Sequence, residues 1–235
     1  MAVNPGQSLP AGRLHVDAYA ATALVEDHLV LLDLRAGTYA VFDRVATMMW
    51  RELTREPQDR AVGELAELFD VDISVIERDL ADFCGEQLAA GWLRAQSQAQ
   101  ANPPSRRAPR YRPSARRAWL ERLGAERTLR AGFWAAYNAT VGPLADDGAA
   151  DESLEAVLRI FARAENFYVS GRAPLDCLPR SLALTRFLRC TGWPAAHVLG
   201  VRLYPFEAHA WVEVGGTPVN ERGDIGDIYT VIHRG

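Results

Sequence analysis

The sequence contains no lysine: all 26 of its cationic residues are arginine. Schiff-base chemistry and a phosphate-binding loop that ends in lysine are therefore excluded. The net charge of −4 gives the chain no overall attraction to nucleic acid or to an anionic membrane surface. We therefore expect neither nucleic acid nor a membrane among its partners.

Cysteine is scarce, with only Cys84, Cys177 and Cys190. Three widely spaced cysteines form no disulfide framework, and no Cys-x-x-Cys or His-Glu-x-x-His motif predicts a metal site. The N-terminus lacks the basic start and apolar run of a signal peptide, and no apolar run approaches the roughly 18 to 20 residues of a membrane helix. These absences predict a cytoplasmic protein with no metal or other cofactor, in which a free thiol survives.

A change of composition at residues 95–117 predicts a linker. This segment holds four prolines and six arginines and no acidic residue. Proline and small polar residues in such density are typical of connectors between domains. We therefore predict an α+β protein with one domain at residues 12–94 and a second at residues 118–235.

The first domain combines short strands with three helices. Alternating patterns predict strands at 13–20, 28–34 and 38–43, and helical spacing predicts helices at 44–53, 61–69 and 73–91. Asp43 is suited to begin the first helix, and Gly91 to end the third. Three strands and three helices in about 80 residues indicate a winged-helix-like module.

The third helix of this module argues against DNA binding, because its acids outnumber its arginine and would repel a phosphate backbone. The open edge of a small sheet is instead suited to pair with an extended peptide. The stretches "LDLRAGTYAVFDRVATMMW" and "VIERDLADFCGEQLAAGWL" resemble the PqqD-like peptide-recognition elements of ribosomal peptide maturation. That resemblance implies that a leader peptide adds a strand to the third strand and packs on the third helix. The residues implied are Thr38, Tyr39, Ala40, Val41, Phe42, Arg78, Asp82 and Phe83.

The second domain begins with two predicted helices, at 117–141 and at 151–167, the second begun by Asp151. The stretch "CLPRSLALTRFLR" then predicts a helix that begins at Cys177. The amides and dipole of a helix N-terminus stabilise a thiolate, and the same amides can hold an oxyanion. Asp176 opposes this if its carboxylate faces the sulfur, which the sequence leaves open.

A nucleophilic thiolate needs a base and a group that orients the base. His209 lies in the predicted strand "EAHAWVEV", which the Gly215-Gly216 turn joins to "TPVNE". A two-residue turn pairs Val214 with Thr217 and brings Asn220 diagonally to the face of His209. A three-residue turn puts Glu221 directly opposite, because a slip of one residue exchanges the faces.

The stretch "CLPRSLALTRFLRCTGWPAAHVLGVRLYPFEAHAWVEVGGTPVNE" resembles the transglutaminase-like B proteins of lasso peptide biosynthesis, over about residues 118–235. Together with the first domain, the chain resembles their fused form. The resemblance implies a transglutaminase-like (papain-like) domain that removes the leader from a lasso precursor peptide, with the ATP-dependent lasso cyclase as a partner. It implies Cys177 as nucleophile, His209 as base and Glu221 at the acid position, where the family usually has Asp. Asn220 is the second choice for this third role.

Two other functions use the same residues differently. A transglutaminase-like acyltransferase would pass the acyl group to an amine, and a non-catalytic escort would only bind the precursor. Cys84 and Cys190 fit apolar helix positions, and His197 is expected to be a strand residue rather than a second base. Trp211, beside His209, is expected to shield the site from water.

Overall fold

The computed structural model describes residues 9–10, 12–56, 60–95, 109–141, 150–168, 176–221 and 224–235. The chain divides into two compact units: Met1–Asp33 with Thr38–Gln100, and Leu34–Gly37 with Ala101–Gly235. Most of the predicted linker, residues 96–108, lies outside the described residues. The domain limits therefore stay a prediction, whereas the mixed α+β class is confirmed.

The N-terminal unit holds a three-stranded antiparallel sheet of order β2-β3-β4, a small β1-β5 ladder and three helices. Its core contains Leu31, Trp50, Leu53 and Leu80, all buried. The elements are β1 (His15–Val16), β2 (Ala20–Val25), β3 (His28–Asp33), β4 (Thr38–Phe42), α1 (Arg44–Thr54), α2 (Val62–Phe69), α3 (Ile73–Ala90) and β5 (Leu93–Arg94).

The prediction of one strand over residues 13–20 was wrong. The segment breaks at Asp17, whose carboxylate accepts a hydrogen bond from the amide of Tyr19 at 2.9 Å and whose carbonyl accepts one from Ala20 at 2.9 Å. Such a local turn removes the strand conformation. The first strand of the sheet is therefore β2, while β1 pairs with β5.

Two predicted helix ends in this unit are confirmed. The Asp43 carboxylate accepts from the amide of Ala46 at 2.8 Å and begins α1. Gly91 ends α3 with a φ of 76°, a left-handed conformation that glycine adopts without a Cβ penalty.

The C-terminal unit places helices around a four-stranded antiparallel sheet of order β8-β7-β6-β9. Helix α7 packs on α4, α5 and strands β6 and β7, and its interior side chains are buried. The elements are α4 (Ala115–Ala131), α5 (Phe133–Val141), α6 (Leu154–Glu165), α7 (Cys177–Cys190), β6 (Ala195–Arg202), β7 (Glu207–Val214), β8 (Thr217–Pro218), α8 (Ile225–Ile228) and β9 (Thr230–Arg234).

Three helix ends in this unit differ from the predictions. The helix predicted at 117–141 divides into α4 and α5 at Gly132, which has a φ of 130°. Helix α4 begins at Ala115, inside the predicted linker, because the Ser114 hydroxyl caps it. Ser153, not Asp151, caps α6 by accepting from the amide of Ala156 at 3.3 Å.

Candidate active site

The candidate nucleophile Cys177 is the first residue of α7 and is half-buried. The helix begins here because Pro179 is tolerated in the first turn, where amides have no intrahelical partner. The amide of Arg180 makes the first helical bond, to the carbonyl of Asp176 at 3.1 Å. The sulfur is therefore held at a helix N-terminus, where the aligned peptide dipoles favour a negative charge.

The candidate base His209 lies on β7, directly opposite Gly200 on β6. Hydrogen bonding with Cys177 is the main cause that raises the pKa of His209, burial opposes it, and the charges of Cys177 and Glu221 add to the increase. A base whose protonated form is stabilised beside a thiol favours transfer of the thiol proton to the imidazole.

Glu221 reaches the imidazole and Asn220 does not. Glu221 Oε1 lies 3.3 Å from His209 Nε2, within ion-pair distance but without hydrogen-bond geometry. The side-chain oxygen of Asn220 instead accepts from the amide of Val212 at 2.9 Å. Of the two candidates for the orienting group, the geometry favours Glu221.

The local backbone explains how Glu221 arrives there. Val214 pairs with Thr217, so the hairpin has the two-residue turn. Past β8 the Val219 amide still donates to the Val212 carbonyl at 3.0 Å, but the Asn220 side chain accepts from the Val212 amide that a longer strand would have bonded. Because the chain leaves the ladder at this point, the strand register no longer decides which side chain approaches His209.

Two aromatic rings stack along the imidazole of His209. The Trp211 ring lies 6.3 Å away at 20°, and the Tyr229 ring lies 5.3 Å away at 25°. Trp211 is fully buried, and its indole N–H donates to Glu213 at 2.9 Å. Gly200 leaves room for this packing, since a Cβ there would lie 2.6 Å from the indole. Trp211 thus lies beside the imidazole, and its shielding of the site from water stays a prediction.

Sequence reasoning missed Tyr229. Its hydroxyl donates to Glu207 at 2.8 Å, and Glu207 also pairs with Arg202. Hydrogen bonds from Arg202 and then from Tyr229 lower the pKa of Glu207. In the sequence, Glu207 and His209 are two positions apart on one predicted strand and so share a face. That spacing gives no indication that Tyr229, from the C-terminal segment, contacts both residues.

The remaining candidates for reactive groups are buried. Burial raises the pKa of Cys84 and that of Cys190, so both thiols stay protonated. His197 is fully buried, its Nε2 lies 2.9 Å from Ser181 Oγ, and burial lowers its pKa to about 3. A neutral, enclosed imidazole of this kind anchors the nucleophile helix to β6 rather than serving as a second base.

The predicted leader-binding residues lie on β4 and α3 of the N-terminal unit. Strand β4 pairs with β3 along one edge, and no other described strand pairs with it. Phe42 packs edge-on against Phe83 of α3, with ring centres 5.7 Å apart, and Ala40 also packs on the core. Val41 is 45% exposed and faces away from that packing.

Neither a metal cluster nor a membrane helix is found in the described part of the chain. No three His, Cys, Asp or Glu side chains there are grouped to hold a metal ion. None of the helices described is both long and apolar enough to cross a membrane.

Comparison with known protein families finds two matches along the chain. Residues 119–234 match the transglutaminase-like superfamily, and residues 28–93 match coenzyme PQQ synthesis protein D (PqqD). The chain is 46% identical over 57 residues to the microcin J25-processing protein McjB of Escherichia coli, which is 24% of this chain and 27% of that protein.

A structure titled "TbiB1 in Complex with the TbiA(beta) Leader Peptide" is 28% identical and covers 35% of this chain and 98% of that one, with a TM-score of 0.31. This chain spans about a quarter of the length of McjB, the curated relative that it matches. A PqqD-like region at residues 28–93 is thus followed by a transglutaminase-like region at residues 119–234.

Proposed function

We propose that this protein is a cysteine peptidase that binds the leader of a lasso precursor peptide and hydrolyses the bond between leader and core. The observation that carries the proposal is the meeting of Cys177, His209 and Glu221 in a transglutaminase-like domain. A thiol at a helix N-terminus, an imidazole whose pKa is raised by that thiol and an acid beside the imidazole are the parts that thiol acyl transfer requires.

In the first half-reaction, His209 takes the thiol proton and the sulfur of Cys177 attacks the carbonyl carbon before the core. The oxyanion faces the amides at the start of α7. As the intermediate collapses, the carbon–nitrogen bond breaks and His209 protonates the departing α-amine of the core. The leader remains attached to Cys177 as a thioester.

In the second half-reaction, His209 removes a proton from water, which attacks the thioester carbonyl. The carbon–sulfur bond breaks, and the leader leaves with a new carboxylate while the thiol regains a proton. Glu221 stabilises the imidazolium that forms in both halves. Trp211 and Tyr229 fix the orientation of the His209 imidazole and exclude water from one side of it.

The N-terminal unit supplies the recognition. The leader adds as a strand along the open edge of β4, so residues Thr38 to Phe42 offer it main-chain donors and acceptors. Arg78 and Asp82, both exposed on α3, and the edge of Phe83 meet side chains of the added strand. Holding the leader raises the local concentration of the junction, so the active site itself needs little affinity. The freed core then passes to the ATP-dependent lasso cyclase as partner.

The decisive experiment is mass spectrometry of a lasso-type precursor incubated with the wild-type protein, with Cys177→Ala and with Cys190→Ala as the matched control. We expect a leader-plus-core split, with a free amine on the core, for wild type and for the control only. Cleavage by Cys177→Ala would contradict the proposal. If no protein cleaves alone, the same comparison with the cyclase present decides between a peptidase that needs its partner and an escort.

A further inference from the structure

Arg122 of α4 is a buried cation that contacts Asp176, the residue before the candidate nucleophile. Its side chain is 1% exposed and contacts three carboxylates. Nη2 donates to Asp176 at 2.9 Å, Nε donates to Glu165 at 3.1 Å, and Nη1 donates to Glu126 at 3.3 Å. Asp176 is the residue directly before Cys177, so this arginine acts on the first turn of α7.

Asp176 occupies the N-cap position of α7 but makes no cap with its side chain. Asp43 and Asp72, at the same position of α1 and α3, each accept an amide of their own helix at 2.8 Å. An N-cap carboxylate ordinarily accepts from the second or third helical residue. The third is Pro179, which has no N–H, so Leu178 would be the amide that Asp176 bonds.

We propose that Arg122 is a positioning residue of the active site, which draws the Asp176 carboxylate off the helix and leaves the Cys177 and Leu178 amides to the sulfur and the oxyanion. The proposal rests on the proposed peptidase function. By holding Asp176, Arg122 has two effects. The carboxylate does not occupy the Leu178 amide, and its negative charge does not oppose a thiolate at Cys177.

A second arginine shares one of the carboxylates that Arg122 contacts. A guanidinium stays protonated in proteins, and its fork of donors serves several carboxylates together. Arg180, from the first turn of α7, also approaches Glu165 at 3.4 Å. Burial raises the pKa of Glu165, while Arg122 and then Arg180 oppose that increase. Two arginines and three carboxylates therefore form one charged cluster around the first turn of α7.

The test is the rate of alkylation of Cys177 by iodoacetamide across a pH series. The Cys177 adduct is followed by peptide mass spectrometry, which separates it from Cys84 and Cys190. In Arg122→Met the released Asp176 carboxylate caps Leu178, and we expect the midpoint of the rate profile to rise by about 0.5 to 1 pH unit. Removing the acid as well, in Arg122→Met/Asp176→Asn, returns the midpoint to the wild-type value or below it.

A matched control removes a different partner of the same arginine. Glu126→Gln loses one contact of Arg122 without touching residue 176, and we expect its profile to stay within about 0.2 unit of wild type. If Arg122→Met does not fold, the same comparison is made in the Arg122→Met/Glu165→Gln background. The second change makes neutral one of the carboxylates that lose their arginine partner.

The proposal is overturned if the profile of Arg122→Met does not return when Asp176 is also changed, or if Glu126→Gln moves it equally. A purely structural role of Arg122 predicts no such rescue, because the second substitution adds no packing. Since alkylation needs no peptide, its outcome is independent of the cleavage assay, and the failure of either proposal is recognised separately.

Discussion

In the proposed function, the N-terminal unit offers the leader its main chain, whereas the C-terminal unit offers three side chains to the reaction. On β4 the groups that matter are the amides and carbonyls of an open strand edge, to which almost any residue type contributes equally. At the candidate active site the proposed chemistry needs a thiol, an imidazole and a carboxylate, with His209 interacting with both Cys177 and Glu221. Binding by backbone tolerates sequence change, and catalysis by side chains does not.

The same contrast predicts different consequences of mutation. A side-chain change at His209 should abolish chemistry and leave binding intact. A backbone change on β4 should weaken binding and leave chemistry intact once substrate is saturating. Leader binding and cleavage should therefore respond separately to mutation.

The largest effect is expected from His209→Ala. Without the base, the thiol proton has no acceptor and the leaving amine no donor, so the cleavage rate should fall by about 10³-fold or more. The dissociation constant of a labelled leader peptide, measured by fluorescence anisotropy, should stay unchanged. Loss of leader binding in this variant would mean that the two functions are not divided as proposed.

A pair of proline substitutions should separate fold from recognition on β4. Ala40 and Val41 are neighbours in the strand, so one amide points to β3 and the other to the open edge. Proline at the inward position should lower the melting temperature, because it removes a ladder bond. Proline at the outward position should leave melting nearly unchanged and weaken leader binding by about tenfold. Equal binding by both variants would argue against strand addition.

Much of this organisation follows from local pattern. Asp43, Gly91 and the Gly215-Gly216 turn mark their elements because capping and turn chemistry act within a few residues. Cys177 was predicted at a helix start for the same reason. The strand at 13–20 was wrong because a single Asp17 side chain, bonding two residues ahead, outweighs alternation.

What sequence could not give is contact between distant segments. Tyr229 lies 20 positions from His209, and Arg122 lies 54 positions before Asp176, so no period or spacing links them. Strand register also could not decide between Glu221 and Asn220, because the Asn220 side chain interrupts the pairing of β7 with β8. Long-range polar contacts of this kind follow from tertiary packing alone.

Glu221→Gln should change the pH dependence of cleavage. The Glu221 charge contributes to the raised pKa of His209, so its removal lowers that pKa. Activity of a thiolate–imidazolium pair is lost as the imidazolium deprotonates, and the alkaline limb of the rate profile should therefore move to lower pH, by less than about one unit.

The matched variant for this prediction is Asn220→Ala. This variant removes the side-chain acceptor of the Val212 amide, which should lower the free energy of unfolding by about 1 kcal/mol. The alkaline limb of the rate profile should stay in place. The reverse pattern, with the limb moving only in Asn220→Ala, would assign the orienting role to Asn220.

The smallest effect is expected from Tyr229→Phe. The ring keeps its stacking with His209 at 5.3 Å and loses only the hydroxyl that donates to Glu207 at 2.8 Å. We expect the cleavage rate at the optimal pH to fall by about two- to fivefold, one ordinary hydrogen bond being worth about 1 kcal/mol. Tyr229→Leu, which removes the stacked ring as well, should lower the rate further without changing leader affinity. If Phe and Leu act alike, the hydroxyl rather than the stacked ring holds the imidazole, and the network from Glu207 to Arg202 becomes part of the catalytic unit.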